Sequence, residues 1–249
     1  MRLTTHTRLF VLAAATMVAL GAATGCGTGK QSANTSSAST AATPSSAAPT
    51  NSSVVQRPTS GNFIAQLPAL GDKAATTLAL SFDGDKVVGY ACDGKTDEAW
   101  FFGTQQNGRF DLTSKYQDHL TGNYDGTKVP LTLLINNNEY TGDAVLSDQP
   151  AGIYTATHGD ARATWIVRSD QSTIGMLLPQ DKHDRQVINQ INADRNAPDY
   201  QEKLHQARLD RVTEPPPQLT YGTWTSELGG TPVTAVQVTG SMTSPPSTG

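Results

Sequence analysis

Between Asn62 and Leu178 the chain is cut into short pieces by turn signals, and this most limits what it can fold into. Asp83-Gly84, Asp93-Gly94, Asn107-Gly108, Asp125-Gly126, Asn136-Asn137-Asn138 and His158-Gly159-Asp160 recur through it. Asp-Gly and Asn-Gly pairs favour hairpins because their backbones accept the positive φ that a tight reversal needs. Between the turns the residues alternate. Leu78, Leu80 and Phe82 interleave with Thr77, Ala79 and Ser81, and Phe110 and Leu112 with Arg109, Asp111 and Thr113. A period of two is the signature of a strand with unlike faces. About ten such strands with close turn spacing predict an antiparallel meander, and no helical stretch separates them to make parallel crossovers.

A meander of this length hides its edges by closing into a barrel or by folding into two packed sheets. The expected fold is mainly β: an up-and-down meander closing into a small barrel over 61–180, with a β-sandwich as the alternative. Glycines at 89, 103, 122, 142, 152 and 175 lie inside predicted strands, where bends that help a small barrel close are expected. Two short helices follow in a helical arm over 181–214. Val187, Ile188 and Ile191 mark the first and Tyr200, Leu204 and Ala207 the second, with Pro198 between them. Asp181 with Arg185 and Asp199 with Lys203 read as i,i+4 surface pairs. Pro215-Pro216-Pro217 opens a last segment, 215–249, with a hairpin about Gly229-Gly230 and a short tail.

The first 60 residues carry a different message. Arg2 and Arg8 precede a nearly apolar run from Leu9 to Ala23, followed by Ala23-Thr24-Gly25-Cys26. Basic, then apolar, then small is the order of a secretory leader, and about 15 apolar residues fall short of a membrane span. The segment resembles the signal peptides of bacterial lipoproteins, whose lipobox sets small residues before an acylated cysteine; Ala23 stands where leucine is usual. The resemblance implies a leader over 1–25, a Cys26 diacylated through sulfur, and a protein held on the outer face of the cell membrane. Two acyl chains anchor stably where one binds reversibly. The Ala/Thr/Ser-rich composition is similar to that of actinobacterial secreted proteins. Residues 26–60 are dominated by Ser, Ala, Thr, Asn, Gln and Pro and are expected to form a disordered tether. A coil of about 34 residues spans roughly 30–35 Å.

Chemistry is sparsely written. A formal charge of −4 with no basic stripe argues against nucleic acid as a partner. With Cys26 committed to lipid, Cys92 has no disulfide partner and reads as a small buried hydrophobe. No Gly-x-Ser-x-Gly elbow or Ser-x-x-Lys occurs, and no residues are assigned to catalysis, a metal or a cofactor. His119 and His158 sit at predicted turns near Asp118 and Asp160 and would serve only an enzyme assembled from distant loops. The remaining candidates for a ligand surface are aromatic: Tyr90, Trp100, Phe101, Phe102, Phe110 and Trp165. Consecutive Trp100-Phe101-Phe102 must send large rings to both faces of a strand, so one face needs a cover of helices, partner or lipid. The expected function is a non-enzymatic module engaging another envelope component, protein or lipid. The alternatives are a carrier holding an apolar molecule against Leu131, Leu133 and Ile135 inside the barrel, and an unrecognised enzyme.

Overall fold

The computed structural model describes residues 60–246. The leader, Cys26 and nearly all of the expected tether lie outside the described residues. Eight strands run in sequence: β1 Ser60–Leu67, β2 Thr76–Asp83, β3 Lys86–Cys92, β4 Glu98–Thr104, β5 Arg109–Thr113, β6 His119–Asn123, β7 Lys128–Ile135 and β8 Asn138–Ser147. They form one antiparallel sheet in the order β4-β3-β2-β1-β8-β7-β6-β5. The meander therefore curls back on itself, because β8 returns to pair with β1 through Asn62↔Ser147, Phe63↔Leu146 and Ile64↔Val145. The barrel is nearly closed. Its seam lies between β4 and β5, which are the two ends of the hydrogen-bonded order and meet only at their turn through a Gln106↔Arg109 bridge.

The turns carry out what their residues dictate. Asn107 and Gly108 (φ 55 and 84) and Asn136 and Asn137 (φ 48 and 60) take the paired left-handed conformations of tight hairpins. Asp93 works through its side chain, its Oδ1 accepting from the backbone N–H of Lys95, Thr96 and Asp97.

Side chains fill the barrel. Phe63, Leu78, Leu80, Phe82, Phe101, Leu120 and Leu133 are each no more than 2% exposed within one continuous cluster, which leaves no water-sized space beside them. Eight strands enclose about the volume that such side chains occupy. Leu131, Leu133 and Ile135, expected to line a pocket if the barrel were hollow, belong to this packed core. The strand glycines make room within it. A Cβ on Gly103 would lie 2.5 Å from Leu112 Cδ2 and one on Gly142 2.7 Å from Leu67 Cδ2, while Gly122 lies under the Phe110 ring.

The stretch 61–180, read as one barrel, divides in two. The meander closes at β8, so the next strands find no free edge there. Instead β9 Gly152–His158, β10 Ala161–Val167 and β11 Thr173–Leu178 form a separate sheet laid against the outer face of β1–β4. Small outward side chains on β2 (Thr77, Ala79, Ser81) let it approach, and Ala79, Val88, Tyr90 and Cys92 pack against Ile153, Ile166 and Met176. Cys92 is fully buried, and burial first, then neighbouring Glu98, pushes its thiol pKa up to about 12.

Two helices follow, α1 Asp181–Asn192 and α2 Tyr200–Leu209, whose Ile188, Tyr200 and Leu204 pack together with Tyr116 from the β5–β6 turn. A hairpin of β12 Thr225–Leu228 and β13 Thr231–Thr234 turns at Gly229-Gly230. It adds a third layer over Tyr154, Ala163 and Trp165. It does not join the barrel. The last strand, β14 Val236–Gln237, pairs with β9, and the chain then crosses the barrel's outer face, burying Val238 and Pro245. Among the described residues no helix is long and apolar enough to cross a membrane.

Candidate functional site

The six aromatic residues singled out in the sequence do not form one surface. Strand alternation sends Phe101 and Phe110 into the barrel core, where they are 0% and 5% exposed. Trp165 faces the opposite way, into the third layer, and its indole Nε1 donates to Pro217 O at 2.9 Å. Tyr90, Trp100 and Phe102 point outward from β3 and β4, with Tyr90 sealed beneath the second sheet. Trp100 and Phe102 remain together, their rings stacked at 5.6 Å and 3° apart. They form the floor of a cleft of about 110 Å³.

This cleft lies at the seam of the barrel. One side is β4 from Glu98 to Phe102, and the facing side is the end of β5 with Thr113, Ser114 and the following Lys115 and Tyr116. Above the seam, Leu178 and Ile188 add apolar walls, and Pro245 of the final segment closes one flank. The two unpaired strand edges, a place for unwanted association, are thus flanked by α1 and Pro245.

Its polar wall is a buried ion network. Arg162 on β10, 2% exposed, donates from Nη2 to Glu98 Oε1 (2.7 Å), from Nε to Asp181 Oδ1 (2.9 Å) and from Nη1 to Thr164 Oγ1 (2.6 Å). The Tyr90 hydroxyl donates to the second oxygen of Glu98 at 2.9 Å. Arg185 sits 2.8 Å from Asp181 Oδ2, and Arg211 3.7 Å from Glu98 Oε1. Burial opposes the charge on Glu98, but Arg162 and Arg211 outweigh it and hold the carboxyl below its ordinary 4.5. For Arg162 too, burial is overcome by Glu98 and Asp181, which raise its pKa. Breaking such a pair strands a charge in a dry interior, a cost of about 3–5 kcal/mol. The network therefore fastens three elements, β4, β10 and α1, at fixed positions around the cleft.

A second clamp holds α2. Arg208 Nη2 donates to both oxygens of Asp118 (2.7 and 2.6 Å), and the guanidinium lies 4.7 Å from the Tyr116 ring centre. Arg211 approaches the same ring at 5.3 Å.

Ser114, the hydroxyl nearest a nucleophile's role, donates to Asp118 Oδ2 at 2.7 Å and accepts from the backbone N–H of Tyr116 and Asp118. Both oxygens of Asp118 already accept from Arg208 Nη2. His119 lies 3.5 Å from Thr113 Oγ1, and neither it nor His158 lines the cleft.

The charged residues escaped sequence reasoning because they come from distant segments. Asp181 and Arg185 were legible as a pair, but as a solvated one; Asp181 is 2% exposed. The available signal was a charge inside an apolar strand: Arg162 in Ala161-Arg162-Ala163-Thr164-Trp165-Ile166-Val167, and Glu98 heading Ala99-Trp100-Phe101-Phe102. Comparison of this chain with protein-family models, with curated proteins and with solved structures found no match in any of the three.

Proposed function

We propose that this chain is an envelope lipoprotein, acylated at Cys26 and tethered on the outer face of the cell membrane, whose β body engages another envelope component without catalysing a reaction. The leader pattern ending in Ala23-Thr24-Gly25-Cys26 supports the anchor. The observation that carries the binding reading is the cleft at the β4–β5 seam, where stacked Trp100 and Phe102 meet a wall of buried arginines. An aromatic floor with a few fixed polar groups is the usual composition of a recognition site. The barrel interior, packed by Phe63, Phe82, Phe101 and Phe110, offers an apolar ligand no comparable space.

The test is photocrosslinking in intact cells, with a benzophenone amino acid placed at Lys115 beside the cleft and at Asp111 on the exposed face of β5. An adduct formed from Lys115 and not from Asp111 is expected. Recovery of free monomer from both positions would overturn the binding reading. Metabolic labelling with an alkyne fatty acid, abolished by Cys26→Ser, tests the anchor separately.

A further inference from the structure

The walls of the seam cleft are unevenly supplied with hydrogen-bond partners. Trp100 Nε1 and Arg211 Nε are both buried and neither has an acceptor. Both groups are donors only, so nothing but an incoming oxygen or nitrogen lone pair can satisfy them. Buried donors left unpaired are rare in folded proteins because each forfeits its hydration without return. The residues that carry them, 9% and 8% exposed, line the same cavity, as does Arg185, whose Nε lies 2.8 Å from Asp181 Oδ2.

Charge points the same way. Four cationic side chains line the cleft (Lys115, Arg162, Arg185, Arg211) against three carboxyls (Glu98, Asp181, Asp184). Glu98 and Asp181 are consumed by Arg162 and Arg185 at 2.7 to 2.9 Å, whereas Arg211 has longer contacts, Glu98 at 3.7 Å, Thr96 O at 3.3 Å and the Tyr116 ring at 5.3 Å. The third carboxyl, Asp184, is the weakest counterweight: burial raises its pKa, with Arg211 opposing, and its Oδ2 has no partner. Arg211 is thus the underused cation of the wall.

Size and apolar lining supply the rest. A cavity of about 110 Å³ is of the order of one that admits a single benzene ring, about 150 Å³. Phe102, Leu178 and Ile188 offer such a ring an apolar bed.

We propose that the seam cleft binds a small organic acid bearing one ring, the ring lying on Phe102, Leu178 and Ile188 and the acid oxygens accepting from Arg211 and Trp100 Nε1. This deepens the binding reading above by naming the ligand class, and it does not depend on the lipid anchor. Pro245, buried at the flank, places a ring of the chain's own beside the same apolar bed.

The test uses lipid-free chain from residue 27 onward, which keeps every described residue, labelled with ¹⁵N. Sodium benzoate is the probe, and the indole N–H resonance of Trp100, identified by its loss in Trp100→Phe, is the readout. A saturable shift of that resonance is expected with benzoate, and Arg211→Gln should weaken it by about threefold to tenfold, the worth of one lost charged contact. Benzyl alcohol and sodium acetate at equal ionic strength are the controls. No saturable shift with benzoate overturns the proposal. An equal response to benzyl alcohol would make the cleft merely apolar, and an equal response to acetate would make it a bare anion site; either overturns it. Since crosslinking at Lys115 reports a cellular partner whatever its chemistry, failure of the benzoate titration would leave that result standing.

Discussion

The two halves of the barrel are built on one pattern and live in different surroundings. In β5–β8 inward residues are buried and outward ones meet water, as in β5, where Phe110 and Leu112 are buried and Arg109, Asp111 and Thr113 are exposed. In β1–β4 both faces are buried, and β2 exposes only its terminal Asp83. The difference is written in the outward residues. Thr121, Asp143 and Glu139 on the open half are polar and suit water, whereas Ala79, Val88 and Tyr90 on the covered half need a second layer. Inward residues make a barrel; outward ones decide what may lie upon it. The cleft occurs where these two regimes meet, at the seam joining the covered β4 to the open β5.

Placing a charge on each outer face should break the symmetry most sharply. Ala79→Lys buries an ammonium between barrel and second sheet with no partner, at a cost of about 4 kcal/mol or more. Thr121→Lys, exposed and opposite Asp111, should leave the melting temperature within error. Equal melting temperatures for the two variants would mean that the second sheet does not cover β2.

Ion pairs give the next contrast. Glu98→Gln removes the carboxylate shared by Arg162 and Arg211, leaving Arg162 with Asp181 alone, and should cost about 3 kcal/mol, whereas Asp143→Asn removes an exposed partner of Lys128 and should not measurably alter denaturant unfolding. The pH dependence has a definite sign. Because the Glu98 pKa is lowered in the folded state, its stabilisation is complete above about pH 4.5 and is lost as pH falls through the folded value. Glu98→Gln should therefore flatten the acid limb of the stability curve, and an unchanged limb would remove the carboxylate from the account.

The smallest expected effect is Tyr90→Phe, which deletes one buried donor to Glu98 and should cost about 1–2 kcal/mol by urea denaturation. Tyr124→Phe, whose exposed hydroxyl donates to Gly126 O on the open half, is its matched control.

Much of the fold was legible because its signals are local. Asn107-Gly108 and Asn136-Asn137 specify their hairpins through backbone sterics alone, and the alternation of Leu78, Leu80 and Phe82 names the inward face. The point of closure was not legible. Phe63 finds Leu146 across the chain, and nothing near either residue says that the eighth strand will return to the first. Consequently β9–β11, which show the same periodicity, read as a continuation of the barrel when they are a layer upon it. The cleft was half visible for a similar reason. Trp100 and Phe102 advertise a face that needs cover, but Arg162, Asp181 and Arg211 reach it from β10, α1 and the segment after α2. Their convergence is a property of the packing.

Cys92 turns this layering into something that can be timed. Burial pushes its pKa up to about 12 and closes the sulfur to reagents while the sheets stay in register, so the thiol is protonated and shielded at pH 7. Alkylation thus proceeds only through molecules in which the upper sheet has lifted from the barrel. The modification rate becomes a clock for that parting, set into the chain without any added label.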